Sequence, residues 1–257
     1  VSCGNAGNDE GTKVVIKTGH GDIVVKLYDK TEKHKENFIK LVEEDFYNGL
    51  LFHRVIENFM IQGGDPDSKN AEPGEKLGGG RLDYNIPAEF VPGYFHKRGA
   101  LAAARRGGLM NKEKRSSASQ FYIVQGRVFS EGELDTMEIM KNQNIKNELV
   151  RQGLIAADNE IQRYNRNNQR DSFALKVAEI RDQADSIIEA ENRKFQFSEE
   201  QRKIYTTIGG YPSLDGDYTV FGEVIEGMEI VDKIAATETD KNDRPVKDIK
   251  MEMELIK

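Results

Sequence analysis

The sequence predicts a mostly β protein: a closed antiparallel barrel interrupted by an inserted α-helical hairpin or small bundle. Three observations carry this. Segments of alternating apolar and polar residues stand near both ends of the 257-residue chain, at Lys13 to Lys17, Ile23 to Tyr28 and Ile249 to Leu255, and a half-buried strand requires that period of two. No strand–helix–strand rhythm of a parallel sheet joins them, so closure is the way to remove exposed edges. Between Gly126 and Ile208 glycine nearly vanishes, proline is absent, and Glu, Lys, Arg, Asn and Gln dominate.

Each element follows from its residues. Lys13-Val14-Val15-Ile16-Lys17 and Ile23 to Tyr28 read as strands joined by the hairpin connection Thr18-Gly19-His20-Gly21. Thr31 reads as the N-cap of a helix carrying Phe38, Leu41, Val42 and Phe46 at helical spacing. Asn48-Gly49 turns the chain into its central stretch, Phe52-His53-Arg54-Val55-Ile56-Glu57-Asn58-Phe59-Met60-Ile61-Gln62-Gly63-Gly64-Asp65. In strand geometry Phe52, Arg54 and Ile56 share one face, as do Met60 and Gln62. A cation and an amide beside Phe and Met describe a lined groove rather than a plain core.

The segment from Asp65 to Tyr84 reads as a surface loop. It holds Gly78-Gly79-Gly80 but lacks the Gly-Lys-Ser/Thr ending of a phosphate loop. Gly99-Ala100-Leu101-Ala102-Ala103-Ala104 reads as a strand of small residues, which lets a ligand backbone lie close or a helix pack tightly. Both apply if alternate residues divide the roles. Val220 to Val224 is a further strand. Met228, Val231 and Ile234 stripe a short helix, and Ile249, Met251, Met253 and Leu255 form the buried face of a closing strand.

Composition bounds the function. Net charge is -7, against the basic surface that general nucleic-acid binding uses. No run approaches the ~18 apolar residues of a membrane span. His20, His34, His53 and His96 are scattered without a carboxylate or cysteine pattern, so neither a metal site nor a cofactor is expected. Cys3 is the single cysteine, so no intrachain disulfide forms. Val1-Ser2-Cys3-Gly4 resembles the end of a bacterial lipoprotein signal, and Gly4 to Gly11 reads as a flexible polar tether. The expectation is a lipid on Cys3 that holds the protein to a membrane surface in the bacterial cell envelope, as a periplasm-facing or outer-membrane lipoprotein. The alternative is an incidental thiol in a disordered terminus.

The central stretch, together with Ser119-Gln120-Phe121-Tyr122-Ile123, Leu214-Asp215-Gly216 and Val220-Phe221-Gly222-Glu223-Val224, resembles the cyclophilin family of peptidyl-prolyl cis-trans isomerases. The resemblance implies an eight-stranded barrel with two capping helices and rotation about X-Pro bonds in protein clients. It implies catalysis by Arg54 and Gln62, an apolar proline socket of Phe59, Met60, Tyr122 and Leu214, and substrate contacts from Ala104, Arg105, Gln120 and Tyr218. Gln62 matches the amide that orients both Arg54 and the substrate carbonyl. Three departures stand out. Arg105 occupies a position usually held by Asn, and Tyr218 one often held by His. Ser213 replaces a Trp common in eukaryotic members, so strong binding of the cyclic peptide inhibitor is not expected.

The resemblance needs only a short turn where this chain has residues 127–209. Without them, 13–126 and 210–257 amount to roughly 160 residues, the size of a bare barrel. The predicted division is therefore a tether over 1–12, the barrel over 13–126 and 210–257, and the helical insertion over 127–209. Within it Leu134, Met137, Met140 and Leu149 mark one helix, Leu154, Ala157, Ile161 and Tyr164 a second, and Phe173, Val177, Ile180, Ala184 and Ile187 a third. Breaks are expected at Gly153 and near Asn165 to Asn168, and Ser198-Glu199-Glu200-Gln201 has a capping-box pattern. Tyr122 and Leu214 flank the insertion, which places its roots at the rim of the groove. Its helices suggest client binding or oligomerisation. Lys97, Arg98, Arg105, Arg106, Lys112, Lys114 and Arg115 form a basic run. Such a run is usually a solvated loop, but its place near the groove also fits a preference for acidic clients.

Overall fold

The computed structural model describes residues 11–108 and 111–256; Cys3 and nearly all of the expected tether lie outside them. In chain order the elements are β1 (Lys13–Thr18), β2 (Gly21–Leu27), α1 (Glu32–Glu43), β3 (Phe52–Ile56), β4 (Met60–Gly63), β5 (Asn85–Ile86), β6 (Ala100–Ala103), β7 (Ser116–Ser117), β8 (Phe121–Val124), α2 (Glu131–Ala156), α3 (Asp158–Arg166), α4 (Arg170–Ala190), α5 (Glu199–Thr207), β9 (Val220–Glu226), α6 (Met228–Ala235) and β10 (Met251–Ile256). Two compact units emerge, Val1–Val128 with Ile204–Lys257, and Phe129–Lys203. Helices make up 39% of the chain, so "mostly β" describes the sheet unit but not the whole protein.

The first unit is an eight-stranded antiparallel sheet in the order β10-β1-β2-β9-β6-β8-β4-β3. The sheet curls until its end strands approach. Leu51 bridges Lys250, the Phe52 amide donates to the Ile249 carbonyl at 2.9 Å, and the Met251 amide donates to the Leu50 carbonyl at 2.9 Å. Phe38, Leu41 and Val42 of α1 and Val231 and Ile234 of α6 join Ile16, Leu27 and Phe121 in one buried cluster. The strand of small residues divides as alternation dictates: Leu101 and Ala103 join that core, while Ala100, Ala102 and Ala104 join a second cluster with Met60 and Tyr122.

Two local expectations are corrected here. Phe52 does not share a face with Arg54. The register of β3 against β4 shifts between them, and a bulge inserts one residue, sending the next side chain to the other face. Phe52 therefore enters the core with Val55 and Ile61. Thr31 stands at the N-cap position of α1 but makes no side-chain cap; its hydroxyl donates to the Tyr28 carbonyl at 3.1 Å. The helix is capped from a distance, the Glu89 carboxylate accepting from the Lys33 and His34 amides at 3.1 and 3.0 Å.

The second unit is built from α2, α3 and α4. Gly153–Ile180 and Lys146–Asp185 contacts run in opposite senses along α2 and α4, so these helices are antiparallel. Gly153 does not break a helix: α2 passes through it, and a Cβ there would stand 2.6 Å from Ile180 Cγ2, so the glycine permits close helix approach. Met140 is 61% exposed and lies off the seam. Leu134, Ile180 and Ala184 are the buried residues of α2 and α4. Asn168, at φ 56°, separates α3 from α4. Arg202 pairs with Glu131 and Asp135 at 2.7 Å each. The Ser198–Gln201 capping box forms, the Gln201 amide donating to Ser198 Oγ at 3.1 Å and Gln201 Oε1 accepting from the Ser198 amide at 2.9 Å.

Candidate active site

Pairing across four strands sets one row of side chains on the outer face of the sheet. Arg54 stands opposite Gln62, Gln62 opposite Tyr122, and Tyr122 opposite Ala102. Ile56 likewise opposes Met60. A cavity of about 250 Å³ opens over this row. Of the residues the sequence singled out, Arg54, Phe59, Met60, Gln62, Ala104, Arg105, Tyr122, Leu214 and Tyr218 all line it. Gln120 does not; it lines an adjoining cavity that shares Gln62, Gly78, Ala104 and Arg105 with the first.

The floor is apolar and aromatic. Met60 and Tyr122 are buried. Phe59 packs on Tyr211 with ring centroids 4.1 Å apart, and Tyr122 meets Tyr218 edge-on at 5.8 Å. The cations stand at the sides. Arg54 Nε lies 3.5 Å from the Asp243 carboxylate, and its Cζ is 5.9 Å from the Phe59 ring centroid. The Arg105 guanidinium covers the Tyr218 ring at 4.6 Å, anchored by Nε donating to the Asp217 carbonyl at 2.6 Å. An arginine in place of the usual asparagine thus becomes a lid on the aromatic wall.

Gln62 is held by Gln120 rather than by Arg54. Gln62 Nε2 donates to Gln120 Oε1 at 3.0 Å, and Gln120 Nε2 donates to the Gly80 carbonyl at 2.8 Å. Behind the glycines sits Asp65, fully buried. Its carboxylate accepts from the amides of Asp67, Gly78 and Gly80. The buried anion is satisfied by backbone donors and shapes the glycine loop that steers Gln120.

Several lining residues escaped sequence reasoning. Asn242 and Arg244 come from a loop before β10, and Glu75, Leu77 and Gly78 from the loop after β4. Arg244 is buried and ties the two loops together: it pairs with Asp248 at 2.8 Å and donates to the Glu72 and Glu75 carbonyls at 2.8 and 2.9 Å. Only the sequence Asp240-Lys241-Asn242-Asp243-Arg244 hinted at a turn. His53, at the bulge, also lines the cavity, and burial lowers its pKa to about 4, against the pull of Asp65. Beneath the floor, Tyr122 Oη and His96 Nε2 are 2.9 Å apart and His96 Nδ1 lies 2.9 Å from Asp215. Among the described residues no cluster of three or more His, Cys, Asp or Glu could hold a metal.

The eight-stranded antiparallel sheet with an apolar groove beside an arginine defines the class as a cyclophilin-like fold. The family model for "Cyclophilin type peptidyl-prolyl cis-trans isomerase/CLD" matches residues 13–140 and 124–254, and the chain belongs to that family of peptidyl-prolyl cis-trans isomerases. A Staphylococcus haemolyticus protein described as a peptidyl-prolyl cis-trans isomerase is 30% identical over 95% of this chain and 90% of its own length. A Streptococcus pyogenes protein described as a bifunctional phosphatase/peptidyl-prolyl cis-trans isomerase is also 30% identical, over 95% of this chain, but the match spans only 38% of its length. The crystal structure of a cyclophilin type isomerase from Cryptosporidium parvum, studied in the presence of the dipeptide Ala-Pro, shares the fold at TM-score 0.53, with 19% identity over 95% of this chain and 99% of the other.

Proposed function

We propose that the groove over Arg54, Gln62 and Tyr122 twists X-Pro bonds in protein clients. The observation that carries the reading is the placement of the Arg54 guanidinium beside Phe59 at the side of an aromatic-floored cavity. Rotation about a peptide bond is opposed by about 18–20 kcal/mol of resonance. Before proline the two planar forms are close in energy, yet they exchange over tens to hundreds of seconds. Catalysis then requires only tighter binding of the twisted bond than of either planar form. As the bond twists, the prolyl nitrogen pyramidalises and regains a lone pair. Arg54 donates to that nitrogen, its charge permanent and its fork rigid. Phe59, Met60, Tyr122 and Leu214 seat the ring. Gln62, steered by Gln120, holds the carbonyl on the other side of the bond, and Ala104 leaves room for the client backbone. The Ala-Pro dipeptide used with the C. parvum protein fits this substrate class.

The clients we assign are exported chains, met at the cell envelope by a protein anchored through a lipid on Cys3. The support is the lipoprotein-like Val1-Ser2-Cys3-Gly4 sequence. Residues 127–209 act as an insertion in the isomerase. A second reading, in which those helices hold clients as a chaperone would, is favoured by Ile139, Ile155 and Leu175, which are 70%, 62% and 72% exposed on α2 and α4.

Exchange NMR on a neutral Ala-Pro-containing peptide tests the core reading. At protein well below peptide concentration, cis and trans resonances are expected to exchange at a rate proportional to added protein. An unchanged exchange rate would overturn it.

A further inference from the structure

We propose that the second cavity, beside the groove, binds a carboxylate side chain of the client, so that X-Pro bonds with a nearby Asp or Glu are turned over preferentially. This rests on the reading of the groove given above and adds a substrate class to it.

The cavity has a volume of about 400 Å³, and Arg81, Arg105, Arg106 and Arg115 line it with no carboxylate among the described residues of its walls. Four guanidinium groups around one hollow stand out in a chain of net charge -7. The structure also sorts the basic run. Lys97 pairs with Glu223 at 2.6 Å, Arg98 with Asp232, and Lys114 with Asp217 at 2.7 Å, so these three are neutralised by their partners. Arg115 instead donates Nη2 to the Asn85 carbonyl at 2.9 Å, which fixes its orientation without cancelling its charge. Its carboxylate neighbour, Glu113, is 3.7 Å away and 80% exposed. Arg105 lies 3.6 Å from Asp217, a carboxylate it shares with Lys114. Arg81 and Arg106 are exposed. Arg81 comes from the loop after β4, outside the basic run, and only the fold brings it to the same hollow.

The two cavities share Gln62, Gly78, Ala104 and Arg105 as walls. An extended peptide advances about 3.3 Å per residue, so a client seated at Arg54 reaches the second cavity within about three residues of its proline. Guanidinium forks accept carboxylates in paired hydrogen bonds, and a partly exposed cluster of this kind is sensitive to salt.

The test uses peptides carrying Glu, or Gln in its place, at each of the three positions on either side of the proline. For each, kcat/KM and equilibrium binding by fluorescence anisotropy are measured at about 0.02 M and about 0.5 M salt. At one position the Glu peptide is expected to exceed its Gln counterpart by about two- to fivefold at low salt, in both readouts. That ratio falls toward one at high salt, and in an Arg81→Gln/Arg106→Gln double variant even at low salt. Glu-to-Gln ratios of one at all six positions in the wild type, or a ratio retained in the double variant, would overturn the proposal. If the Gln peptides bind but are not isomerised, the reading of the groove fails, while the binding ratio still decides the charge preference.

Discussion

Tyr122 Oη and His96 Nε2 lie 2.9 Å apart beneath the groove. The Asp215 carboxylate can only accept, so His96 donates to it through Nδ1, and in the neutral ring Nε2 then accepts from the tyrosine hydroxyl. Tyr205, on α5, donates to the other oxygen of Asp215 at 2.6 Å. The socket floor is therefore pinned from below by a buried polar chain. Tyr122→Phe keeps the ring and leaves Nε2 without its donor, at a cost of about 1–3 kcal/mol in stability. Urea unfolding should show that loss, while kcat/KM stays within about threefold because the apolar wall survives.

His53 predicts an acid-sensitive fold. Its folded pKa is about 4, below the ordinary 6.5, because burial disfavours the charged ring. Between those values the unfolded chain binds the proton and the folded one does not, so stability rises with pH across the window. The contribution is full above pH 6.5, declines as pH falls, and is gone below about 4. Unfolding free energies measured from pH 4 to pH 7 should span on the order of 3 kcal/mol from this group. The slope should flatten in His53→Gln.

Gly64 predicts a steric limit at the end of β4. Its φ is +84°, and a Cβ there would stand 2.2 Å from the Ser119 carbonyl oxygen, a backbone atom that cannot swing aside. Gly64→Ala should cost at least about 2 kcal/mol, from strain and displacement together. The check is a lower urea midpoint with an unchanged denaturant slope.

The helical unit Phe129–Lys203 predicts separability. The Arg127 and Gly210 backbones exchange hydrogen bonds at 3.1 and 3.0 Å, so the sheet unit holds the two chain ends together by itself. A chain in which a short glycine linker replaces residues 129–203 should fold and isomerise a short peptide at close to the wild-type rate. If the helices hold clients, the same deletion should abolish suppression of client aggregation. Unaltered suppression would remove the chaperone reading.

Much of this architecture was legible in the residues. Alternation placed β1, β2 and β10, and the Ala100 to Ala104 run divided between core and groove as its period requires. Of the nine groove residues, Arg54, Phe59, Met60 and Gln62 stood out where Arg and Gln interrupt an apolar stretch, and Ala104, Arg105, Tyr122, Leu214 and Tyr218 were implied by the family resemblance. What stayed hidden depends on tertiary geometry. The bulge at His53 turns Phe52 to the other face, and no local propensity marks it. Glu89 caps a helix from 55 residues away in sequence. Asp243 meets Arg54, and Arg81 and Arg106 line one cavity, only in the folded chain. Gly153 looked like a helix break because its packing partner, Ile180, belongs to another helix.

The central claim, that Arg54 favours the twisted bond, is tested most directly by kcat/KM for a neutral X-Pro peptide in wild type, Arg54→Lys and Arg54→Ala, each shown folded by near-UV circular dichroism. Loss of one oriented donor to a developing charge costs about 100-fold or more, so Arg54→Ala should fall by that factor. Arg54→Lys should recover only part of it, because a point charge lacks the planar fork. A folded Arg54→Ala with kcat/KM within about threefold of wild type, a difference of less than ~1 kcal/mol, would contradict the account.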